Sequence, residues 1–160
     1  DLLKGVPSTD TLTGLANRRG FLESLQASMR RGDRGTLALL DGDRFKQVND
    51  RLGHGEGDRL LKTIANKIRD GIRETDIAAR WGGDEFVIFF DGLDREAAEA
   101  VVTRVHAAVL RRPPALLDGE PVAFSAGFAE LSGPGRAALD KAMAHADRAL
   151  YENKGRRVSV

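Results

Sequence analysis

The sequence predicts an α+β domain in which a mixed β-sheet is covered by helices. Short apolar runs of strand length alternate along the chain with longer stretches whose apolar residues recur three and four apart. Two of the runs, 77–81 and 85–90, are joined across Gly82-Gly83-Asp84, a hairpin signature. The composition, 41% hydrophobic and 31% charged over 160 residues, suits one globular domain with enough chain for a core.

Residues 1–13 hold Pro7, Ser8, Thr9 and Asp10, turn and cap chemistry. Asn17 to Arg30 reads as a helix with Phe21, Leu22 and Leu25 on one face. Residues 36–43, TLALLDGD, form a buried strand that ends in acids. A short helix follows to about Leu52, then a Gly-rich turn. Asp58 is placed to cap a longer helix whose Leu60, Leu61, Ile64, Ala65 and Ile68 share one face. After the hairpin, Asp94 opens a helix to about Leu110, and PPALLDGEP reads as loop. Residues 122–131 form a strand, Ala137 to Asn153 a last helix, and RRVSV (156–160) an edge strand.

Net charge is +1, so no global field favours a nucleic acid polymer or a membrane surface. There is no cysteine, which removes disulfides and thiolate metal sites. No apolar run approaches the roughly 18 residues of a membrane span, and no signal peptide is evident. A cytoplasmic domain is expected. The first residue is Asp1, so residues 1–9 are expected to be the remnant of an N-terminal linker.

The acids carry the chemical interest. Asp41 and Asp43 are two apart on one strand and point to one face. Asp84 and Glu85 head the hairpin. If these strands are neighbours, three or four carboxylates converge, and like charges raise one another's pKa. A hard cation such as Mg²⁺ offsets that, taking one or two carboxylates together with phosphate and water oxygens. Taken singly, each pair reads equally well as a solvated turn or cap. Gly82 and Gly83 permit positive φ and close approach of a ligand, and Gly42 leaves its carbonyl accessible. Asp43-Arg44-Phe45 enters a helix whose free N–H groups can take phosphate, with Lys46 on its first turn. Asn49 and Asp58 bracket the Gly-rich turn, as guanine-binding groups or as plain caps.

RWGGDEF, LLDGDRFKQVND, GHGEGD, DTLTGLANRR and the RETD before the hairpin together resemble the GGDEF domain, the catalytic domain of bacterial diguanylate cyclases. The resemblance runs from about Asp10 to the end. It implies a five-stranded sheet flanked by helices, similar to nucleotidyl cyclase and polymerase palm domains. It implies condensation of two GTP into cyclic di-GMP and two pyrophosphates, with two facing subunits each contributing half a site. By the same resemblance Asp41, Asp84 and the Gly42 carbonyl hold Mg²⁺ (or Mn²⁺). Glu85 serves turnover and Lys46 meets phosphate. Asn49 and Asp58 read guanine, and Gly82 and Gly83 let GTP lie on the hairpin. Arg44, Phe45, Lys154 and Arg156 are the further substrate contacts. Arg73 and Asp76 match an inhibitory RxxD site for cyclic di-GMP, with Arg104 as a secondary arginine.

Two departures stand out. Gly42 occupies a position where the family usually has an aliphatic residue, and the tail YENKGRRV is shorter than the usual Y-x-A-K-x-x-G-R-N. The sensor or dimerising region is expected outside this chain. The alternative reading is an inactive domain that serves as a cyclic di-GMP or GTP receptor.

Overall fold

The computed structural model describes residues 7–133 and 135–158, the side chains of 155–158 excepted. The elements run α1 (Arg18–Arg30), β1 (Gly35–Gly42), α2 (Phe45–Leu52), α3 (His54–Gly71), β2 (Ile77–Arg80), β3 (Glu85–Asp91), α4 (Arg95–Arg111), β4 (Leu116–Leu117), β5 (Glu120–Pro121), β6 (Phe124–Leu131) and α5 (Arg136–Val158). The α+β class is as predicted. The main sheet, however, has four strands in the order β2-β3-β1-β6, and β4 and β5 pair separately. Every strand pair in it is antiparallel, so the sheet is not mixed. The fifth strand expected at RRVSV is absent from 156–158, which continue α5; residues 159–160 lie outside the described chain.

Strand alternation sorts the core into two layers. Ala38 and Leu40 of β1, with Phe86, Ile88 and Phe90 of β3, pack against Leu60, Leu61, Ile64 and Ile68 of α3 and Val102, Val105 and Val109 of α4. Leu37 and Leu39, with Val87 and Phe89, pack against Phe21 and Leu25 of α1 and Leu139, Ala142, Ala146 and Leu150 of α5. The sheet is therefore buried on both faces, which explains why β1 and β3 read as continuous apolar runs rather than alternating ones.

Two caps were legible. Asn17 accepts from the Gly20 amide, and Asp94 from the Ala97 amide. Asp58 is not a cap, because α3 starts four residues earlier and leaves it exposed on the second turn. PPALLDGEP is not simple loop either. Asp118 and Gly119 both have positive φ, 55° and 79°, and turn the short β4–β5 hairpin. Asp-Gly flanked by apolar residues is a strong signal for this turn. Asp118 also reaches across to α2, bonding Arg44 at 2.9 Å and Arg51 at 3.1 Å.

Residues 7–9, assigned to a linker by sequence, are tied into the domain. The Asn17 side chain donates to the Pro7 carbonyl at 3.1 Å, and its backbone amide donates to the Ser8 carbonyl at 2.9 Å. A side chain at Gly20 would overlap the Ser8 backbone, so this close crossing requires glycine there.

Candidate functional site

The acids meet because β1 and β3 are adjacent and antiparallel. Their register pairs Asp41 with Glu85, and the Gly42 amide donates to the Asp84 carbonyl at 2.9 Å. Asp41 continues the face of Leu37 and Leu39, beneath α5. Like charges directly opposite each other on a sheet are unfavourable, and the titration of the group reflects it. Burial first, then hydrogen bonding and repulsion from Asp41, push the Asp84 carboxyl up to about 6. Burial, then Asp41 and Asp147, raise Glu85, with Arg18 and Lys154 opposing.

Asp41 Oδ1 is buried and has no hydrogen-bond partner among the described residues when the acids are ionised. Hydrogen bonding with Asp41 is one of the causes that raise Asp84. A cation would give the orphaned oxygen a partner. Among the described residues no group of three or more His, Cys, Asp or Glu is arranged to hold a metal ion. The expected convergence of three or four acids is therefore narrower: Asp41 and Asp84, beside the Gly42 carbonyl. That all-oxygen set with two carboxylates still fits Mg²⁺, which takes its remaining ligands from water and phosphate.

Lys154 lies in the middle of this set. Its Nζ is 3.1 Å from Asp41 Oδ2, 3.5 Å from the Gly42 carbonyl and 3.8 Å from Asp43 Oδ1. Sequence reasoning assigned it to substrate phosphate; the structure places it on the acids. The side chain of Arg156 lies outside the described residues. Asp43 also accepts from the Ser125 hydroxyl at 2.6 Å.

The two signature glycines do not use the positive φ that the sequence allowed them. Neither is among the positive-φ residues. A Cβ at Gly82 would sit 3.0 Å from Glu85 Oε1, whereas one at Gly83 would meet nothing within 4 Å. Gly82 leaves room for the Glu85 carboxylate, whereas the space beside Gly83 is open. Arg80 fastens the hairpin tip, donating to the Gly83 carbonyl at 2.8 Å and to Asp10 at 3.3 Å. Trp81, which no sequence argument explained, packs edge-on against Phe21 at 5.7 Å and carries the Arg18 guanidinium 4.2 Å above its ring.

On α2, Lys46 is exposed on the first turn, beside Phe45. No side chain among the described residues caps this helix. Its N-cap Arg44 holds φ 53°, a strained value for a side-chain-bearing residue, and its guanidinium is engaged by Gln47 and Asp118. Asn49 packs against Gly57, the residue before the exposed Asp58. A Cβ at Gly57 would lie 1.9 Å from Asn49 Oδ1, so the glycine makes the room that Asn49 occupies. The GHGEGD stretch carried that signal, and sequence reasoning read its glycines only as a turn.

Arg73 and Asp76 form a closed corner. The Asp76 carboxylate is 2% exposed and accepts from the Arg73 amide at 2.8 Å, from the Arg73 guanidinium at 2.8 Å and from the Asp91 amide at 3.1 Å. Both Asp76 oxygens thus accept hydrogen bonds from within the chain. Arg73 remains half-exposed. Arg104 is exposed on α4, one residue before Val105, the α4 residue that α3 approaches at Gly71.

Fold and site together define a helix-covered α+β domain with acidic side chains gathered at one end of its sheet. A family model described as "Diguanylate cyclase, GGDEF domain" matches residues 8–158, and the chain belongs to the GGDEF domain family. It is 37% identical over 150 residues to the diguanylate cyclase DgcP of Pseudomonas aeruginosa, covering 91% of this chain and 22% of that protein. It is 40% identical over 147 residues to the diguanylate cyclase TpbB of the same species, covering 89% of this chain and 34% of that one. The chain thus spans between 22% and 34% of the length of these curated relatives. The solved GGDEF domain of DgcB from Caulobacter crescentus, in complex with c-di-GMP, superposes with TM-score 0.78 at 32% identity, covering 92% of this chain and 90% of that one. Among the described residues no helix is long and apolar enough to cross a membrane.

Proposed function

We propose that this domain is a diguanylate cyclase. Two facing copies each hold one GTP, and each 3′-hydroxyl oxygen bonds to the α-phosphorus of the opposite GTP. The bond from that phosphorus to the bridging oxygen breaks, releasing pyrophosphate, and the hydroxyl proton passes to solvent water. Two such steps give cyclic di-GMP and two pyrophosphates. The observation that carries the reading is the cross-strand meeting of Asp41 with Asp84 and Glu85, which leaves a buried carboxylate oxygen without a partner.

In this reading Asp41, Asp84 and the Gly42 carbonyl hold Mg²⁺ or Mn²⁺. When bound, the ion polarises phosphate oxygens and lowers the pKa of the attacking hydroxyl. The chain's own part is positioning. Lys46 and the free amides at Arg44 and Phe45 take phosphate. Asn49, lodged beside Gly57, and the neighbouring Asp58 present an amide and a carboxylate to guanine. The tip at Gly82 and Gly83 admits the nucleotide, and Glu85 stands next to Asp84 for turnover. Arg73, held by Asp76 and supported by Arg104, receives product as the regulatory site.

The test is incubation of a dimerised form with GTP and Mg²⁺, with cyclic di-GMP read by chromatography. Product from the native sequence and none from Asp84→Ala is expected. Absence of product from the native sequence, after any carried-over cyclic di-GMP has been stripped, overturns the proposal.

A further inference from the structure

We infer that Lys154 is the resident counter-ion of the Asp41–Gly42–Asp84 oxygen set, and that a divalent cation enters by displacing its ammonium. The inference rests on reading that set as the metal site. The Lys154 ammonium lies 3.1 Å from Asp41 Oδ2 and 3.5 Å from the Gly42 carbonyl, two of the oxygens assigned to the metal, and 3.8 Å from Asp43. An ammonium is a compact charge with three donors on a flexible stem, suited to bridging several oxygens and to leaving them. The side chain is 31% exposed, so it has a way out.

What stays still is the helix beneath it. The Asn153 side chain donates to the Ala126 carbonyl at 2.6 Å. A Cβ at Gly127 would overlap the Ala146 carbonyl and the Leu150 amide, so glycine there lets α5 lie directly on β6. Backbone position is therefore secured while the four-carbon side chain is free to swing. An ammonium and a divalent ion on Asp41 at these separations repel each other, so each weakens the other's hold on the carboxylate. Metal entry expels the ammonium, and the expelled charge stands at the rim where a triphosphate would lie. Triphosphate that captures Lys154 clears the oxygens for metal, and metal that expels Lys154 supplies the triphosphate with a cation. Coupling of this kind is reciprocal.

The experiment is Mn²⁺ titration of the nucleotide-free protein, with free Mn²⁺ read by electron paramagnetic resonance, for the native chain, Lys154→Met, Lys154→Arg and Asp41→Asn. Lys154→Met is expected to bind Mn²⁺ on the order of tenfold more tightly than the native chain, a size typical of coupling between sites. Lys154→Arg, which keeps the charge, is expected to bind no more tightly than the native chain. A non-hydrolysable GTP analogue is expected to tighten Mn²⁺ binding more in the native chain than in Lys154→Met. Thermal melts verify folding: without metal Lys154→Met should melt lower, and Mn²⁺ should raise its melting temperature by more than the native chain's. Equal or weaker Mn²⁺ binding by Lys154→Met overturns the exchange but leaves the metal site standing. Mn²⁺ binding that Asp41→Asn leaves unchanged overturns the site, and the exchange with it.

Discussion

The two ends of β3 carry the same kinds of side chain in opposite electrostatic condition. At its start, Glu85 faces Asp41 across the sheet, with Asp84 alongside, a buried oxygen without a donor and a titration pushed up to about 6. At its end, the Asp91 amide and the Arg73 guanidinium saturate the buried Asp76 carboxylate. At one end Lys154 offsets Asp41 and a buried oxygen is still left without a partner among the described residues; at the other the chain supplies every partner itself. An acid cluster that the chain itself satisfies holds the fold together. One that it leaves in deficit is built for something brought from outside.

The largest effect expected to test this contrast comes from Asp84→Asn. Cyclic di-GMP formation should fall by orders of magnitude, while the metal-free protein should become more stable, read by thermal melting. Discounted for a half-exposed position, the gain is about 1 kcal/mol. The pH dependence has a definite sign. Asp84 has its folded pKa raised above the unfolded value of about 3.9, so its contribution is fully present below that value and is lost as pH rises through about 6. The native, metal-free protein should therefore melt higher at pH 5 than at pH 7, and Asp84→Asn should reduce the difference. Asp10 works oppositely. Burial alone would raise it, but Thr13 and Arg80 hold it below its usual value, so its contribution is lost as pH falls below about 3.9.

A smaller effect is expected at the saturated end. Arg73→Ala leaves Asp76 with the Asp91 and Arg73 amides alone and should cost about 1–3 kcal/mol by denaturant unfolding. It should also weaken cyclic di-GMP binding in calorimetry. Unchanged stability would show that the corner is not the structural lock its hydrogen bonds imply. The smallest effect is at Gly42. A Cβ there would meet Asp84 and Phe45 at 3.6 Å, ordinary contact. Gly42→Ala should stabilise by about 0.4–1 kcal/mol through the unfolded state, so the departure from the family's aliphatic residue is not forced by lack of room.

Much of this was legible beforehand. The hairpin, the two-residue spacing of Asp41 and Asp43 and the periodicity of α3 followed from local rules, because each depends on neighbours in sequence. The antiparallel register that brings Asp41 to Glu85 is a tertiary fact that no local pattern supplies; the family resemblance implied only that Asp41 and Asp84 share a metal. Trp81 packs on residues some 60 positions away, and no local pattern announces such a contact. Lys154 is drawn to Asp41 by a charge deficit that exists only once β1 and β3 are paired. The Asp118-Gly119 turn was different: its signal is local, and the surrounding prolines masked it.

One tether has a mechanical consequence. Ala16 bridges to Ala79, the Arg80 amide donates to the Ala16 carbonyl, and the Arg80 guanidinium links Asp10 to the Gly83 carbonyl. Arg18 meanwhile lies on Trp81. A pull on the polypeptide leading into residue 10 thus reaches the crest of the signature hairpin through the Arg80 side chain, with the Ala16 and Arg18 contacts beside it. The loop is a lever arm, and Asp84 and Glu85 stand at its short end.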